Sequence, residues 1–229
     1  MNEIFQAVLQ AIKLILELDP ELVRITKLSL YISLASTLIA SFIAIPIGGI
    51  IYYYEFPGKR TLINLIQTLY SIPTVLVGLF LFLLISKQGP FGFLNLLFTP
   101  NGMVIGQTLL ILPILIGFTI TALVGVSIQI KELAISLGAS AYQTITTIIK
   151  EARYAIMGAV ILAFGRAISE VGVSILIGGN IRGFTRTFTT AISLETSRGN
   201  LVLSIALGFI LLSLALIINL LLNYFQGKD

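Results

Sequence analysis

Long apolar segments alternate with short polar connections along most of this chain. Five of them are at least about 20 residues long, which is the length that a helix needs to cross the hydrocarbon core of a bilayer. These apolar runs cover residues 25–53, 62–86, 103–128, 155–177 and 201–224. Each of the first three contains one proline, and proline bends a helix because it removes a backbone donor. The pattern predicts an all-α integral membrane protein with five transmembrane helices.

The N-terminal segment has a different pattern, with a single polar stripe along an apolar helix. The stripe residues are three or four positions apart, and they are Glu3, Gln6, Gln10, Lys13 and Glu17. A helix over residues 4–18 rises only about 22 Å, which is too short for a hydrocarbon core of about 30 Å. We therefore expect an interfacial amphipathic helix over residues 1–19, ended by Asp19-Pro20, and a transmembrane domain over residues 20–229.

Composition supports a membrane protein and excludes several kinds of chemistry. The chain is 57% hydrophobic and 10% charged, with a mean hydropathy of +1.03, which is far from the usage of soluble domains. It has no cysteine and no histidine, which excludes disulfides, thiolate or imidazole metal sites, and Ser-His catalysis. No Gly-x4-Gly-Lys-Ser/Thr sequence occurs, so we expect no enzyme, and any energy source lies outside this chain.

A short amphipathic segment, residues 131–148, joins the third and fourth predicted spans. Leu133, Leu137 and Ala141 recur at helical spacing, and Gly138 permits a break between two short helices or the close approach of another surface. A helix held outside the membrane with one apolar face suits docking into a groove on a partner. The alternative is an ordinary amphipathic helix in a loop.

This segment resembles the EAA loop of ABC-importer permeases, which seats in a cleft of a cytoplasmic ATPase. Glu132, Ala134, Gly138 and Ile148 fall on that pattern, whereas Leu133 replaces an alanine and Lys150-Glu151 replaces Leu-Pro. The resemblance implies that ATP and Mg bind the partner and that this chain holds no cofactor. The residues that it implies for contact with the ATPase are Glu132, Leu133, Ala134, Leu137, Gly138, Ala139 and Ser140.

A cytoplasmic coupling segment after three spans implies an N-terminus outside and a C-terminus in the cytoplasm. The basic residues then inside are Lys59, Arg60, Lys131, Lys150, Arg153 and Lys228, and those outside are Lys13, Arg24, Lys27, Lys87, Arg182, Arg186 and Arg198. Six inside against seven outside does not satisfy the positive-inside rule. Excess positive charge outside requires a reason, and an anionic cargo is one.

The connection between the last two spans combines glycines, threonines and arginines. Glycines let backbone amides form an anion-binding nest, and the guanidinium groups of Arg182 and Arg186 suit tetrahedral oxyanions. The alternatives are arginines solvated as loop charges or paired with acidic residues of a partner. Asn180, Arg182, Thr185 and Arg186 are therefore candidate residues of a translocation pathway or gate.

Two charged residues, Arg166 and Glu170, lie inside the fourth predicted span. Charges in a membrane helix are costly and face a bundle interior or a wet cavity, and a spacing of four allows them to pair. One interpretation has Arg166 attract a dianion in the pathway. We favour a structural or gate-positioning pair.

The glycine- and arginine-rich connection also narrows the family resemblance. Residues 178–186, Gly-Gly-Asn-Ile-Arg-Gly-x-Thr-Arg, resemble the tungstate-type permeases of the type I ABC importers, within the molybdate, tungstate and sulfate permease superfamily. Three other stretches, residues 18–21, 71–78 and 164–172, also resemble these permeases. The resemblance implies the ABC type I importer permease fold and a multi-pass position in a prokaryotic plasma membrane.

The same resemblance implies a transport machine of several subunits. Two copies of this chain would work with two cytoplasmic ATPases and an extracytoplasmic binding protein, and would import tungstate by alternating access. The alternatives are the same machine carrying molybdate, sulfate or phosphate, or an ATP-independent anion carrier or channel. A carrier is less favoured because the sequence has no internal repeat.

Overall fold

The computed structural model describes residues 2–226, and within that range the chain is helical and contains no strand. A short 3-10 helix, Gly92–Leu94, lies between two of the α-helices. The α-helices are α1 Asn2–Leu16, α2 Pro20–Tyr53, α3 Lys59–Leu69, α4 Thr74–Ile85, α5 Pro100–Val124, α6 Ile128–Ser136, α7 Ala141–Glu151, α8 Arg153–Ile168, α9 Gly172–Gly178, α10 Phe188–Ser197 and α11 Leu201–Gln226. Lys228, counted above with the cytoplasmic cations, and the side chain of Glu3 lie outside the described part of the chain.

The short helix α1 is amphipathic, as its sequence predicts. Its described polar stripe is exposed, and Ala7 and Ala11 are buried on another face. Several large apolar side chains flank the stripe and are also exposed, among them Phe5, Leu9 and Leu16. A helix of 15 residues with this surface is suited to the membrane interface.

The first long helix, α2, begins five residues before the predicted start of the first span. The Asp19 carboxylate accepts hydrogen bonds from the backbone amides of Glu21, at 2.9 Å, and Leu22, at 3.1 Å. Asp19 therefore caps the new helix, and Pro20 occupies the first helical position, where a missing amide hydrogen costs nothing. With 34 residues, α2 is about 51 Å long, so it extends beyond the hydrocarbon core.

Within the described residues there are five candidate spans, when two broken helix pairs are each counted as one. The helices α2, α5 and α11 are long and apolar enough to cross alone, and Pro46 and Pro113 remain inside the first two. Residues 62–86 and 155–177 are not single helices, because α3 and α4 are separated before Pro73, and α8 and α9 are separated around Glu170. Proline has no backbone N–H to donate, and at the second break the Glu170 carboxylate competes with the backbone for the Val173 amide.

Two compact units make up the chain. The first comprises residues 1–36, 73–107 and 165–219. In it, α4 and α9 approach closely because their facing positions are glycines. A Cβ placed on Gly172 would lie 2.9 Å from the Val75 backbone nitrogen, and one on Gly78 would lie 3.2 Å from the Val173 Cα.

The second unit comprises residues 37–72, 108–164 and 220–229 and contains the predicted coupling segment. Its buried apolar cluster joins the end of α5 to α7 and α8 through Leu123, Ile148, Ala152 and Ile156. Tyr52, near the end of α2, packs against the same cluster. The second helix of the coupling segment is thus fixed on membrane-spanning helices.

Candidate functional site

A network of charged side chains joins the connection between α9 and α10 to the start of α2. The Arg186 guanidinium is buried, and its Nη1 lies 3.1 Å from Glu21 Oε1 and 3.3 Å from Glu195 Oε1. Arg182 donates from Nε to Glu21 at 3.0 Å and makes a second, shorter contact through Nη2. Arg198 Nη1 lies 3.4 Å from Glu195. A buried guanidinium needs such partners because an unpaired buried charge is costly.

These five residues, Glu21, Arg182, Arg186, Glu195 and Arg198, lie on the side that the predicted orientation makes the outer one, and we call them the outer ion network. The three arginines all contact carboxylates of their own chain. Arg186 is buried, whereas the side chains of Arg182 and Arg198 are 74% and 60% exposed. The hydrogen bond to Glu21 and the charge of its carboxylate raise the pKa of the Arg182 guanidinium above its ordinary value. The three guanidinium groups remain in excess over the two carboxylates, so the network retains one net positive charge.

The other two candidate residues of this connection make internal hydrogen bonds. Asn180 has a left-handed backbone (φ 51°), and its Nδ2 donates to the carbonyl of Thr190 at 3.1 Å. The Thr185 hydroxyl donates to the Gly178 carbonyl at 2.5 Å and accepts from the Ile181 amide at 3.0 Å. Both side chains thus shape the connection, and a role for them in a pathway stays a prediction.

Arg166 and Glu170 form an ion pair, with Nη1 and Oε2 3.1 Å apart. Glu170 is buried, but its backbone lies in the break after α8, and the Arg166 side chain is 41% exposed. Glu170 Oε1 accepts from the Val173 amide at 3.2 Å, and its carbonyl accepts from the Thr189 hydroxyl at 2.6 Å. Glu170 therefore contacts the last turn of α8, the first turn of α9 and the first turn of α10.

Three residues of the site were not predicted from the sequence, namely Gln107 and the two acidic members of the outer ion network, Glu21 and Glu195. Gln107 is buried on α5, where its amide lies 3.3 Å from the Ser36 hydroxyl of α2 and 3.3 Å from the Ser174 hydroxyl of α9. A polar side chain within an apolar run is a signal for such interhelical hydrogen bonds. Glu21 lies 161 residues from Arg182 and 165 residues from Arg186 in sequence, so spacing could not reveal that it pairs with both.

The predicted coupling segment consists of two helices on either side of a left-handed glycine. Glu132, Leu133 and Ala134 lie on α6, and Gly138 has φ +84°, which favours glycine because it has no Cβ. Ser140 begins α7 with reciprocal hydrogen bonds to Gln143 that form a capping box.

The surface of the coupling segment is apolar as well as exposed. Leu133 is 61% exposed, Leu137 78% and Tyr142 77%. Large apolar side chains at an exposed turn between two short helices are typical of an interaction surface rather than of a solvated loop.

Comparison with known proteins gives a consistent result. The family described as binding-protein-dependent transport system inner membrane component matches residues 36–228. A protein of Haloferax volcanii named probable anion ABC transporter permease protein is 40% identical over 90% of this chain and 91% of its own length.

Two further relatives have more specific names. The tungstate uptake system permease protein TupB of Peptoclostridium acidaminophilum is 36% identical over the full length of both chains. The sulfate transport system permease protein CysW of Escherichia coli K12 is 26% identical over 92% of this chain and 75% of its own length. The chain belongs to the family of inner membrane components of binding-protein-dependent transport systems, the permease subunits of ABC transporters.

Proposed function

We propose that this chain is the membrane-spanning subunit of an ATP-driven importer that carries tungstate into the cell by alternating access. The observation that carries the proposal is the coupling segment, in which two short helices meet at Gly138 and expose Leu133 and Leu137. Burial of these side chains in a groove of a partner would remove apolar surface from water. Family membership supports the assignment of that partner as an ABC ATPase.

The working complex contains two copies of this chain, two cytoplasmic ATPases and an extracytoplasmic binding protein. ATP and Mg bind the ATPases, which draw the two coupling segments together. That movement switches the dimer between inward-open and outward-open states, and the binding protein delivers the anion to the outer side.

In this proposal the N-terminus is outside and the C-terminus is in the cytoplasm. Contacts at the two ends of α2 support a position of the ion network and the coupling segment on opposite sides of the membrane. The first turn of α2 contacts the outer ion network through Glu21. The last turn of α2 contacts the coupling segment, because Lys131 Nζ lies 3.2 Å from the Tyr53 carbonyl oxygen.

Tungstate is supported by the name of the full-length relative and by the outer ion network. One net positive charge suits an anion that must enter and leave, because tight binding would prevent conduction. Most of the selectivity then belongs to the binding protein. Molybdate is the first alternative cargo, followed by sulfate or phosphate, and an ATP-independent carrier or channel is the less favoured alternative function.

Within this mechanism we assign Arg166 and Glu170 to gate positioning. Glu170 fixes the two halves of a broken span at their junction, so its loss would change the angle of α9 rather than remove an anion ligand. Asn180, Arg182, Thr185 and Arg186 form the outer vestibule, where the arginines provide the positive field and the other two set the shape of the connection.

Co-purification with the ATPase tests the proposal. A variant with Glu132→Ala and Gly138→Val should lose the ATPase and ATP-dependent uptake. A matched control, Glu17→Ala, removes an exposed carboxylate just after α1 and should retain both. Transport that continues in the coupling variant without the ATPase would identify a carrier or channel instead.

A further inference from the structure

The carbonyl end of α2 is held by two lysine side chains that come from different parts of the chain. The last carbonyl groups of an α-helix have no partner within the helix and carry a partial negative charge. Lys59 Nζ donates to the Tyr52 carbonyl at 3.1 Å, and Lys131 Nζ donates to the Tyr53 carbonyl at 3.2 Å. The two bonds are alike in chemistry and length, but Lys59 begins α3 whereas Lys131 lies on α6 of the coupling segment.

Lys131 makes two further contacts with the same turn of α2. Its Nζ lies 4.9 Å from the centroid of the Tyr53 ring and 5.7 Å from that of the Tyr52 ring. Both distances are within the range of about 6 Å in which an ammonium group is attracted to an aromatic face. Lys59 has a different second partner, since it contacts Glu55 at 2.7 Å and thereby lowers the pKa of that carboxyl group.

Because Lys131 belongs to the coupling segment, these contacts connect that segment directly to α2. A force applied to α6 reaches α5 through the chain itself, since only residues 125–127 separate these helices. It reaches α2, which lies 78 residues away at Tyr53, through noncovalent contacts. The apolar cluster that includes Ile148 provides such a contact for α7, and the Lys131 ammonium group provides one for α6.

We propose that Lys131 is a positioning residue that transmits movement of the coupling segment to the cytoplasmic end of α2. This inference rests on the proposed function, because it takes the coupling segment as the element that the ATPase moves. Loss of the ammonium group leaves α6 free to move without α2, so that ATP hydrolysis is separated from transport. Neighbouring Leu133 stays exposed for docking, and assembly with the ATPase is retained.

The test compares three variants of the complete transporter in proteoliposomes, with tungstate uptake and ATP hydrolysis measured together. Lys131→Met should lower uptake per ATP at least about fivefold, the lower end of typical coupling between sites. Lys131→Arg should restore it, because guanidinium also donates to carbonyl groups and stacks on aromatic rings. Lys59→Met is the matched control, since it removes the same kind of bond at the same helix end and should keep the wild-type ratio.

Three results would overturn the inference while leaving the proposed function intact. The first is an unchanged ratio of uptake to ATP hydrolysis in Lys131→Met. The second is an equal fall of that ratio in Lys59→Met, which would show that Lys131 only caps the helix. The third is loss of the ATPase from Lys131→Met, which would show that Lys131 is a docking residue. Wild-type protein without ATP-dependent uptake would instead reject the proposed function itself.

Discussion

Replacing Glu195 by glutamine tests whether the outer ion network is a structural requirement. Arg186 is 6% exposed and has two carboxylate partners, of which the substitution removes one. Breaking a buried ion pair completely costs about 3–5 kcal/mol. Because Glu21 still contacts Arg186, we expect roughly half of that, or about 2 kcal/mol. For a chain of 229 residues this is a fall in Tm of about 4–8 °C.

The assay is thermal unfolding of the purified protein in detergent, followed by the change in helical signal. Glu17→Gln is the matched control, since its pair with Lys13 spans 3.7 Å between largely exposed side chains and is worth little. The double variant Arg186→Met with Glu195→Gln should lose less stability than the sum of the two single variants. Equal melting temperatures for Glu195→Gln and Glu17→Gln would refute the argument that burial makes this network necessary.

Three more predictions concern the helix packing, the coupling turn and the broken span. Gly172→Ala places a Cβ 2.9 Å from a backbone nitrogen of α4, so it should lower the free energy of unfolding by about 1–3 kcal/mol, as measured by thermal unfolding. The control Gly165→Ala meets no neighbouring atom within 4 Å and should leave the free energy of unfolding unchanged or slightly raised. Gly138→Ala and Gly58→Ala impose the same left-handed strain of about 1–2 kcal/mol in open space, but only the first should reduce ATP-dependent uptake, since only the first lies in the coupling segment. Glu170→Ala should reduce uptake at normal expression because it frees the junction of the broken span, and full uptake would contradict the gate-positioning role.

The fold could be predicted from sequence because lipid imposes a strong pattern. Apolar runs of sufficient length indicate spans whatever the tertiary contacts, and the polar stripe of the first helix has a period that only a helix explains. The break at Glu170 could not be predicted in this way. The Glu170 carboxylate competes with backbone carbonyl groups for the Val173 amide, although the sequence around it is compatible with a helix. Hydropathy gives no sign of this competition.

The candidate site was predictable in its residue types but not in its contacts. Arg182 and Arg186 signal an unusual outer charge, and Gly138 signals a turn. The carboxylate that meets both arginines, Glu21, lies at the start of α2 and carries no mark in the sequence that distinguishes it from a helix-initiating acid. Pairing across more than 160 residues is set by the packing of helices, which a single sequence does not report.

Oxyanion uptake by the complete transporter, reconstituted in proteoliposomes with its ATPase and its binding protein, tests the proposed function most directly. We expect uptake of tungstate that requires ATP on the side of the coupling segment, with molybdate competing weakly and sulfate and phosphate hardly at all. Uptake that proceeds without ATP, or uptake in which molybdate or sulfate displaces tungstate at equal concentration, would contradict the proposed function.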